Sequence, residues 1–324
     1  RLAFDEMLIL QLGMLMLKEK SRKSTPCVMN KKTGLDEFYA SLPFKMTAAQ
    51  LRCVKEITDD LSSGVPMNRL LQGDVGSGKT AVAAAACYFS YKNGYQSALM
   101  APTEILAVQH YKTLSGFLEP LGIKTVLLTG SMTAKEKRAV KDELMSGEAG
   151  VAVGTHAIIQ KDVEFASLGL VITDEQHRFG VSQRAALADK GKSPHKLVMS
   201  ATPIPRTLAL IIYGDLDISV IDEMPAGRLP VRTYAVTGKL RKRAFNFVRQ
   251  QLDSGRQAYI VCSVIEENES DMLAVKSYFE KVRGNDFADY SVGLLHGKMK
   301  AAEKESVMED FKNRRIDLSL IHIS

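Results

Sequence analysis

The segment from Gly73 to Thr80, which reads GDVGSGKT, constrains this chain more than any other feature of its sequence. It matches G-x-x-x-x-G-K-[ST], a loop whose backbone N–H groups surround the phosphates of a nucleotide. Its glycines allow positive φ and let the backbone approach a phosphate without a Cβ in the way. The apolar residues before the loop predict a buried strand, and the small residues after it predict a helix whose N-terminus favours anions. The segment therefore predicts a nucleotide site rather than a glycine turn with a chance lysine.

Every residue of this loop is a candidate for cofactor binding, and two of them have specific chemical roles. Lys79 places a cation on the β- and γ-phosphates, and the Thr80 hydroxyl can coordinate Mg²⁺. Upstream, Phe44 could stack on an adenine ring and Gln50 could hydrogen-bond its edge, but capping by Thr47 and core packing would also explain these residues. The predicted cofactors are ATP and Mg²⁺. The candidates in the loop are Gly73, Asp74, Val75, Gly76, Ser77, Gly78, Lys79 and Thr80.

Composition narrows the class of protein only moderately. The excess of 43 basic over 37 acidic residues gives a net charge of +6, a weak preference for polyanionic partners. The four cysteines are scattered without a C-x-x-C pair, which is typical of reduced thiols and not of a disulfide framework or a metal site. No apolar run reaches the roughly 18–20 residues that a membrane span needs. We therefore expect a cytoplasmic protein with no membrane partner.

The length of 324 residues predicts roughly two domains. Residues 1–34 are interpreted as a helix followed by a polar linker. Residues 35–228 alternate apolar strands with helices, which favours an α/β fold with a parallel sheet covered on both faces. After a joint rich in proline and glycine, residues 229–324 begin a second α/β domain that is too short for a complete sheet.

Polar turns follow several of the predicted strands. In parallel α/β sheets, ligands bind at the carboxyl ends of the strands. We therefore expect these turns to lie at one edge of the sheet together with the phosphate loop. The residues concerned are Thr103, Thr129, Gly130, Ser131 and Thr155.

Two further segments are interpreted together with the phosphate loop. Asp174 and Glu175 end a buried strand; Asp174 could hold Mg²⁺ through water, and Glu175 could orient and deprotonate an attacking water. Lys79, Asp174 and Glu175 are therefore the candidate catalytic residues. The loop Ser200-Ala201-Thr202 is stiffened by the two prolines that follow it. It is either a simple capping loop or a switch that relays the state of the γ-phosphate to a second domain.

These segments together resemble the superfamily 2 helicases. The matching stretches extend from residue 42 to about residue 311 and include LPFKMTAAQ, RLLQGDVGSGKT, MAPTEILAVQH, VGTHAII, VITDEQHRFGVSQR, SATPIPRTLAL and GLLHGKMKAAEKESVM. The resemblance implies a motor with RecA-like domains, the second of them partial here. It is strongest to the members that remodel branched double-stranded DNA, such as stalled forks and Holliday junctions. It also implies a bacterial, nucleoid-associated protein that acts as a monomer.

The resemblance assigns roles to most of the candidate residues. Phe44 and Gln50 would contact adenine. Coupling of hydrolysis to movement would fall to His177, Ser200, Ala201 and Thr202. Thr103, Thr129 to Ser131, and Thr155 would face the DNA backbone. The resemblance also implies two departures. The family places the arginines that reach the γ-phosphate after the position where this sequence stops, and of the amino-terminal domain that grips the branch we expect at most a trailing helix, in residues 1–20. Since such arginines supply about 10³–10⁵ in rate, we expect this chain alone to bind ATP and hydrolyse it weakly.

Residues 318–324 also depart from the strand and turn that the family has at this position.

Three other functions remain open on the sequence alone. The first is a double-strand translocase like the transcription-repair coupling factor, and the second is a nucleotide switch without catalysis. The third is an RNA helicase, because threonines that grip a backbone do not identify the sugar.

Overall fold

The structure, a computed structural model, describes residues 8, 12–13, 27–30, 32, 34–174, 193–202, 216–224, 231–263, 277–297 and 299–323. The chain divides into two compact units, residues 1–229 and residues 230–324. None of the helices in the described ranges is long and apolar enough to cross a membrane.

The first unit alternates strands and helices and forms one seven-stranded sheet. Its strand order is β3-β4-β2-β5-β6-β1-β7, and every neighbouring pair is parallel, which confirms the predicted fold class. The elements are α1 (Asp36–Ser41), α2 (Ala48–Leu61), β1 (Asn68–Gly73), α3 (Lys79–Lys92), β2 (Gln96–Met100), α4 (Glu104–Leu118), β3 (Thr125–Leu128), α5 (Ala134–Ser146), β4 (Val151–Gly154), β5 (Leu168–Asp174), β6 (His195–Ser200) and β7 (Asp217–Ile221).

The central strands are buried on both faces, which explains why they consist of continuous apolar runs. All five residues of β2 and all seven of β5 are buried. Successive side chains of a strand point to opposite faces, so Leu99 joins one core cluster while its neighbours Ala98 and Met100 join the other. Two packed layers of side chains therefore hold the sheet rigid behind its carboxyl edge.

Part of the segment interpreted as a linker packs into the first unit. Cys27 and Met29 are buried, and the backbone N–H of Met29 donates to the carbonyl of Leu61. His195, at the start of β6, has Nε2 at 2.7 Å from the carbonyl oxygen of Cys27, and its Nδ1 accepts from the N–H of Met67 at 3.0 Å. These hydrogen bonds anchor residues 27–29, so the interpretation as a purely polar linker is incomplete there.

The second unit contains a three-stranded parallel sheet of order β8-β10-β9. Its core includes Leu252, Phe287, Leu318 and Leu320. Residues 318–323 form the middle strand of this sheet, so the expectation that they depart from a strand is wrong: their alternating apolar residues place Leu318 and Leu320 in the core. The elements are α6 (Arg241–Asp253), β8 (Ala258–Ser263), a short π-helix (Val282–Asp286), β9 (Val292–Leu295), α7 (Ala301–Lys312) and β10 (Leu318–Ile323).

Candidate nucleotide site and the adjoining rim

The phosphate loop connects the end of β1 to the start of α3. Gly78 is the N-cap of α3 and has φ of +89°. A Cβ at this position would clash with Nε2 of Gln50, so glycine suits both the backbone conformation and the space. The ammonium of Lys79 donates to the carbonyl oxygens of Gly73 at 2.7 Å and Asp74 at 3.0 Å. The lysine thus lies across the loop, where a phosphate can replace these carbonyls as its partner.

Gln50 supports this loop from the first turn of α2. Its Nε2 donates to the carbonyl of Ser77 at 2.7 Å, and its Oε1 accepts from the N–H of Thr47 at 2.9 Å, which completes a capping box. Gln50 is 2% exposed. The predicted contact with adenine would require one of these hydrogen bonds to be exchanged. In this structure the amide holds the phosphate loop against α2.

Phe44 lies on the surface beside an open cavity. It is 43% exposed and packs edge-on against Phe117, with ring centroids 5.9 Å apart. The cavity measures about 570 Å³ and is lined mainly by apolar side chains. Its lining residues are Tyr39, Ala40, Leu42, Pro43, Phe44, Lys45, Met46 and Leu51. An aromatic ring at the edge of such a cavity is suited to stacking on a planar base.

The residues around the loop fit a nucleotide with Mg²⁺. The Ser77 hydroxyl is completely buried and has no hydrogen-bond partner among the described residues, so a phosphate oxygen bound in the loop could supply one. Thr80 and Asp174 offer oxygen atoms only, which is the donor type that Mg²⁺ prefers. Within the described ranges, no group of three His, Cys, Asp or Glu side chains could hold a metal ion unaided.

Asp174 ends β5, close in the sheet to the phosphate loop. Its Oδ2 lies 2.8 Å from Nε2 of His110, and the two side chains are 11% and 12% exposed. His110 belongs to α4 and was not among the predicted site residues. It lies in the recognised stretch MAPTEILAVQH, but nothing in the spacing of that stretch indicates a partner 64 residues later. Glu175 and His177 lie outside the described residues.

The Ser200–Thr202 loop follows β6, which lies between β5 and β1 in the sheet. The hydroxyls of Ser200 and Thr202 lie 2.9 Å apart, and the N–H of Thr202 donates to Oγ of Ser200 at 3.2 Å. Nε2 of Gln72 donates to the carbonyl of Thr202 at 3.2 Å. Ala201 sits between these contacts. The loop is therefore bonded to β1 at the residue just before the phosphate loop.

The predicted DNA-facing residues come together at the ends of β2, β3 and β4, and we call them the rim: Thr103, Thr129–Ser131 and Thr155. The N–H of Ser131 donates to Oε1 of Glu104 at 2.9 Å, and the N–H of Thr155 donates to the carbonyl of Leu128 at 3.3 Å. Hydrogen bonds from Ser131 hold the pKa of the Glu104 carboxyl below its ordinary value. These contacts join three consecutive turns into one edge.

Exposure divides the rim into two kinds of residue. Thr103, Gly130 and Ser131 are exposed, whereas Thr129 and Thr155 are only 3% exposed. Thr129 and Ser131 have their hydroxyls 3.2 Å apart. The Thr155 hydroxyl is buried and has no hydrogen-bond partner among the described residues. The accessible part of the rim is therefore formed by Thr103, Gly130 and Ser131.

This arrangement defines a P-loop nucleotide-binding domain: a parallel sheet with a glycine loop after β1 and an aspartate after β5. The family profile of the DEAD/DEAH box helicases matches residues 47–211, which is 165 of the 324 residues, and the chain belongs to that family. The resemblance to superfamily 2 helicases is thereby confirmed.

Two curated relatives and one solved structure indicate the group within the family. The chain is 48% identical over 318 residues to the ATP-dependent DNA helicase RecG of Bacillus subtilis, covering 96% of this chain and 46% of the relative. It is 50% identical over 316 residues to RecG of Aquifex aeolicus, covering 96% of this chain and 40% of the relative. The structure of RecG bound to a three-way DNA junction matches with a TM-score of 0.79 and 43% identity, covering 99% of this chain and 42% of that one. The chain thus spans less than half the length of these relatives.

Proposed function

We propose that this chain carries the ATP-binding motor of a DNA helicase that remodels branched double-stranded DNA, such as stalled forks and Holliday junctions. The observation that carries the proposal is similarity along nearly the whole chain, 99% of it, to RecG in a structure that contains a three-way DNA junction. The proposal also includes action as a monomer in the bacterial cytoplasm, in association with the nucleoid.

ATP with Mg²⁺ is the proposed cofactor of the loop from Gly73 to Thr80. Lys79, which donates to the carbonyls of Gly73 and Asp74 in this structure, would instead bind the β- and γ-phosphates. The Thr80 hydroxyl and Asp174 would hold the ion, Asp174 through water. The bound ion would neutralise charge that develops on the phosphates. Glu175 would accept the proton of the attacking water. It would thereby act as the general base in hydrolysis of the phosphoanhydride bond.

Coupling between hydrolysis and movement is proposed for His177 and the Ser200–Thr202 loop. The hydrogen bond from Gln72 to the carbonyl of Thr202 supports this role, because it joins the loop to the strand that leads into the phosphate loop. A shift of Gly73 on phosphate binding would then move Thr202. The contacts are local and hydrogen-bonded, which is the kind of connection that can have two discrete arrangements.

The rim is the proposed contact with the DNA backbone. Thr103, Gly130 and Ser131 are exposed and carry hydroxyl and N–H groups, the donors that bind phosphate oxygens without reading the bases. Thr129 acts through Ser131, whose hydroxyl lies 3.2 Å from its own. The Thr155 hydroxyl is buried and has no partner among the described residues, so a DNA phosphate oxygen that reached it would supply one.

The test is remodelling of a synthetic fork by a version of this chain extended to the length of its relatives. We expect ATP-dependent conversion of the fork into separated or re-paired strands on a native gel. Glu175→Gln should lower the rate of fork remodelling at least about 100-fold while ATP binding persists. The substitution removes the general base but keeps the size and shape of the side chain.

The controls separate the rival functions. Lys79→Ala should abolish both ATP binding and remodelling, and a fork made of RNA should not be converted. If the extended protein binds ATP but leaves every fork unchanged, the proposal is wrong and a nucleotide switch takes its place. Conversion of the RNA fork at the rate of the DNA fork would instead indicate an RNA helicase.

A further inference from the structure

We propose that His110 is a positioning residue for Asp174, the candidate Mg²⁺ ligand. The inference rests on the proposed ATP site and adds to it a residue on a different element, α4. Nε2 of His110 lies 2.8 Å from Oδ2 of Asp174, a distance typical of a charge-assisted hydrogen bond. Both side chains are nearly buried, at 12% and 11% exposed, so water competes weakly for this contact.

The hydrogen bond determines which oxygen of the Asp174 carboxylate is available to the hydrated Mg²⁺ ion. A carboxylate can only accept hydrogen bonds, so Nε2 of His110 carries the proton and donates to Oδ2. This contact fixes the rotation of the carboxylate and reserves Oδ2 for the histidine. Oδ1 can then accept from a water of the Mg²⁺ shell. Removing a partner that orients a direct metal ligand typically changes metal affinity by about 10–100-fold. Asp174 would reach the ion through water, so we expect an effect at the lower end of that range.

The structure explains why α4 can hold this position firmly. Ala107, Leu114 and Leu118 of α4 are completely buried in the core cluster, which also contains Ile172 of β5. His110 and Asp174 therefore extend from two elements that are packed within one rigid cluster. The contact joins a helix to the end of a separate strand, so the Asp174 carboxylate is held from outside its own element.

The experiment measures Mg²⁺ dependence rather than hydrolysis. The chain is incubated with a fluorescent ATP, N-methylanthraniloyl-ATP, and MgCl₂ is titrated while fluorescence reports binding. His110→Ala should raise the Mg²⁺ concentration at half-maximal response by about 10-fold. His110→Gln should restore a midpoint close to that of the unchanged chain, because its amide can donate from nearly the position of Nε2. Affinity for the same nucleotide in EDTA should not change in either variant.

The control is Thr113→Ala on the same helix, which removes an exposed hydroxyl bonded to the carbonyl of Gln109 and should leave the Mg²⁺ midpoint unchanged. If His110→Ala does not fold, His110→Asn replaces it, because its shorter amide ends before the position of Nε2. An unchanged midpoint in a folded variant overturns the inference, as does an equal loss of affinity with and without Mg²⁺. Failure of the unchanged chain to bind the nucleotide at all would instead overturn the proposed function.

Discussion

At the scale of single residues, the phosphate loop depends on backbone space that only glycine leaves. Gly78 combines φ of +89° with close approach to the Gln50 amide, which itself is bonded to the carbonyl of Ser77. The loop conformation is therefore set by α2 as well as by the glycines of the motif. Residues that look like spacers in the pattern have a specific neighbour in the folded protein.

A substitution at Gly78 tests this dependence. Gly78→Ala should lower the free energy of unfolding by about 1–2 kcal/mol through its left-handed backbone, and should also weaken ATP binding, since the new Cβ displaces the Gln50 amide. Gly94→Ala is the matched control, because Gly94 has φ of +82° with no atom within 4 Å of a new Cβ. We expect a similar loss of stability there with ATP affinity unchanged. Urea unfolding and nucleotide titration measure the two effects; equal ATP affinity in both variants would contradict this account.

At the scale of elements, α4 contacts both functional parts of the carboxyl edge. Its first residue, Glu104, accepts the N–H of Ser131 at the rim, and His110 faces Asp174. Six residues of helix span about 9 Å along the axis, so the two contacts belong to one short rigid segment. A change at the rim that moves the start of α4 would consequently reach Asp174, the candidate Mg²⁺ ligand.

Glu104→Gln tests the contact of α4 with the rim. The pKa of Glu104 is lowered in the folded state, chiefly by hydrogen bonds from Ser131, so the folded protein binds fewer protons there than the unfolded chain. The resulting stabilisation is present above the unfolded value of about 4.3 and is lost as pH falls through the folded value. Glu104→Gln should lower the free energy of unfolding at neutral pH by about 0.5–1 kcal/mol.

The same variant should flatten the acid side of the stability profile, measured as the urea midpoint against pH. Glu119→Gln, at the other end of α4, replaces an exposed carboxylate and should change stability by less than about 0.5 kcal/mol. An acid profile that stays as steep in Glu104→Gln as in the unchanged chain would show that this carboxylate does not contribute in the way described.

The strands were predictable because parallel strands are buried on both faces and therefore consist of apolar runs such as 168–172. The turns were predictable as well, because a change from apolar to polar residues marks the carboxyl end of each strand. Strand order was not predictable from such runs, and neither were the contacts that shape the site. Gln50 and Ser77 are 27 residues apart, and His110 and Asp174 are 64 apart, so tertiary packing alone brings them together.

At the scale of the whole molecule, the carboxyl edge of the first sheet divides into two neighbouring regions. The candidate nucleotide residues follow β5, β6 and β1, whereas the rim follows β3, β4 and β2. The two regions meet where β2 pairs with β5, with Met100 opposite Thr173. One continuous sheet therefore supports both the site proposed to hydrolyse ATP and the surface proposed to contact DNA.

We propose above all that branched DNA stimulates ATP hydrolysis at this site. The most direct test is the ATPase rate of this chain and of its extended version, each with and without a three-way junction and with a linear duplex of equal length. We predict that the junction stimulates the extended version more strongly than the linear duplex does, and that this chain binds ATP with little stimulation. If the extended version binds ATP yet its hydrolysis rate is the same with junction, duplex and no DNA, the claim is wrong.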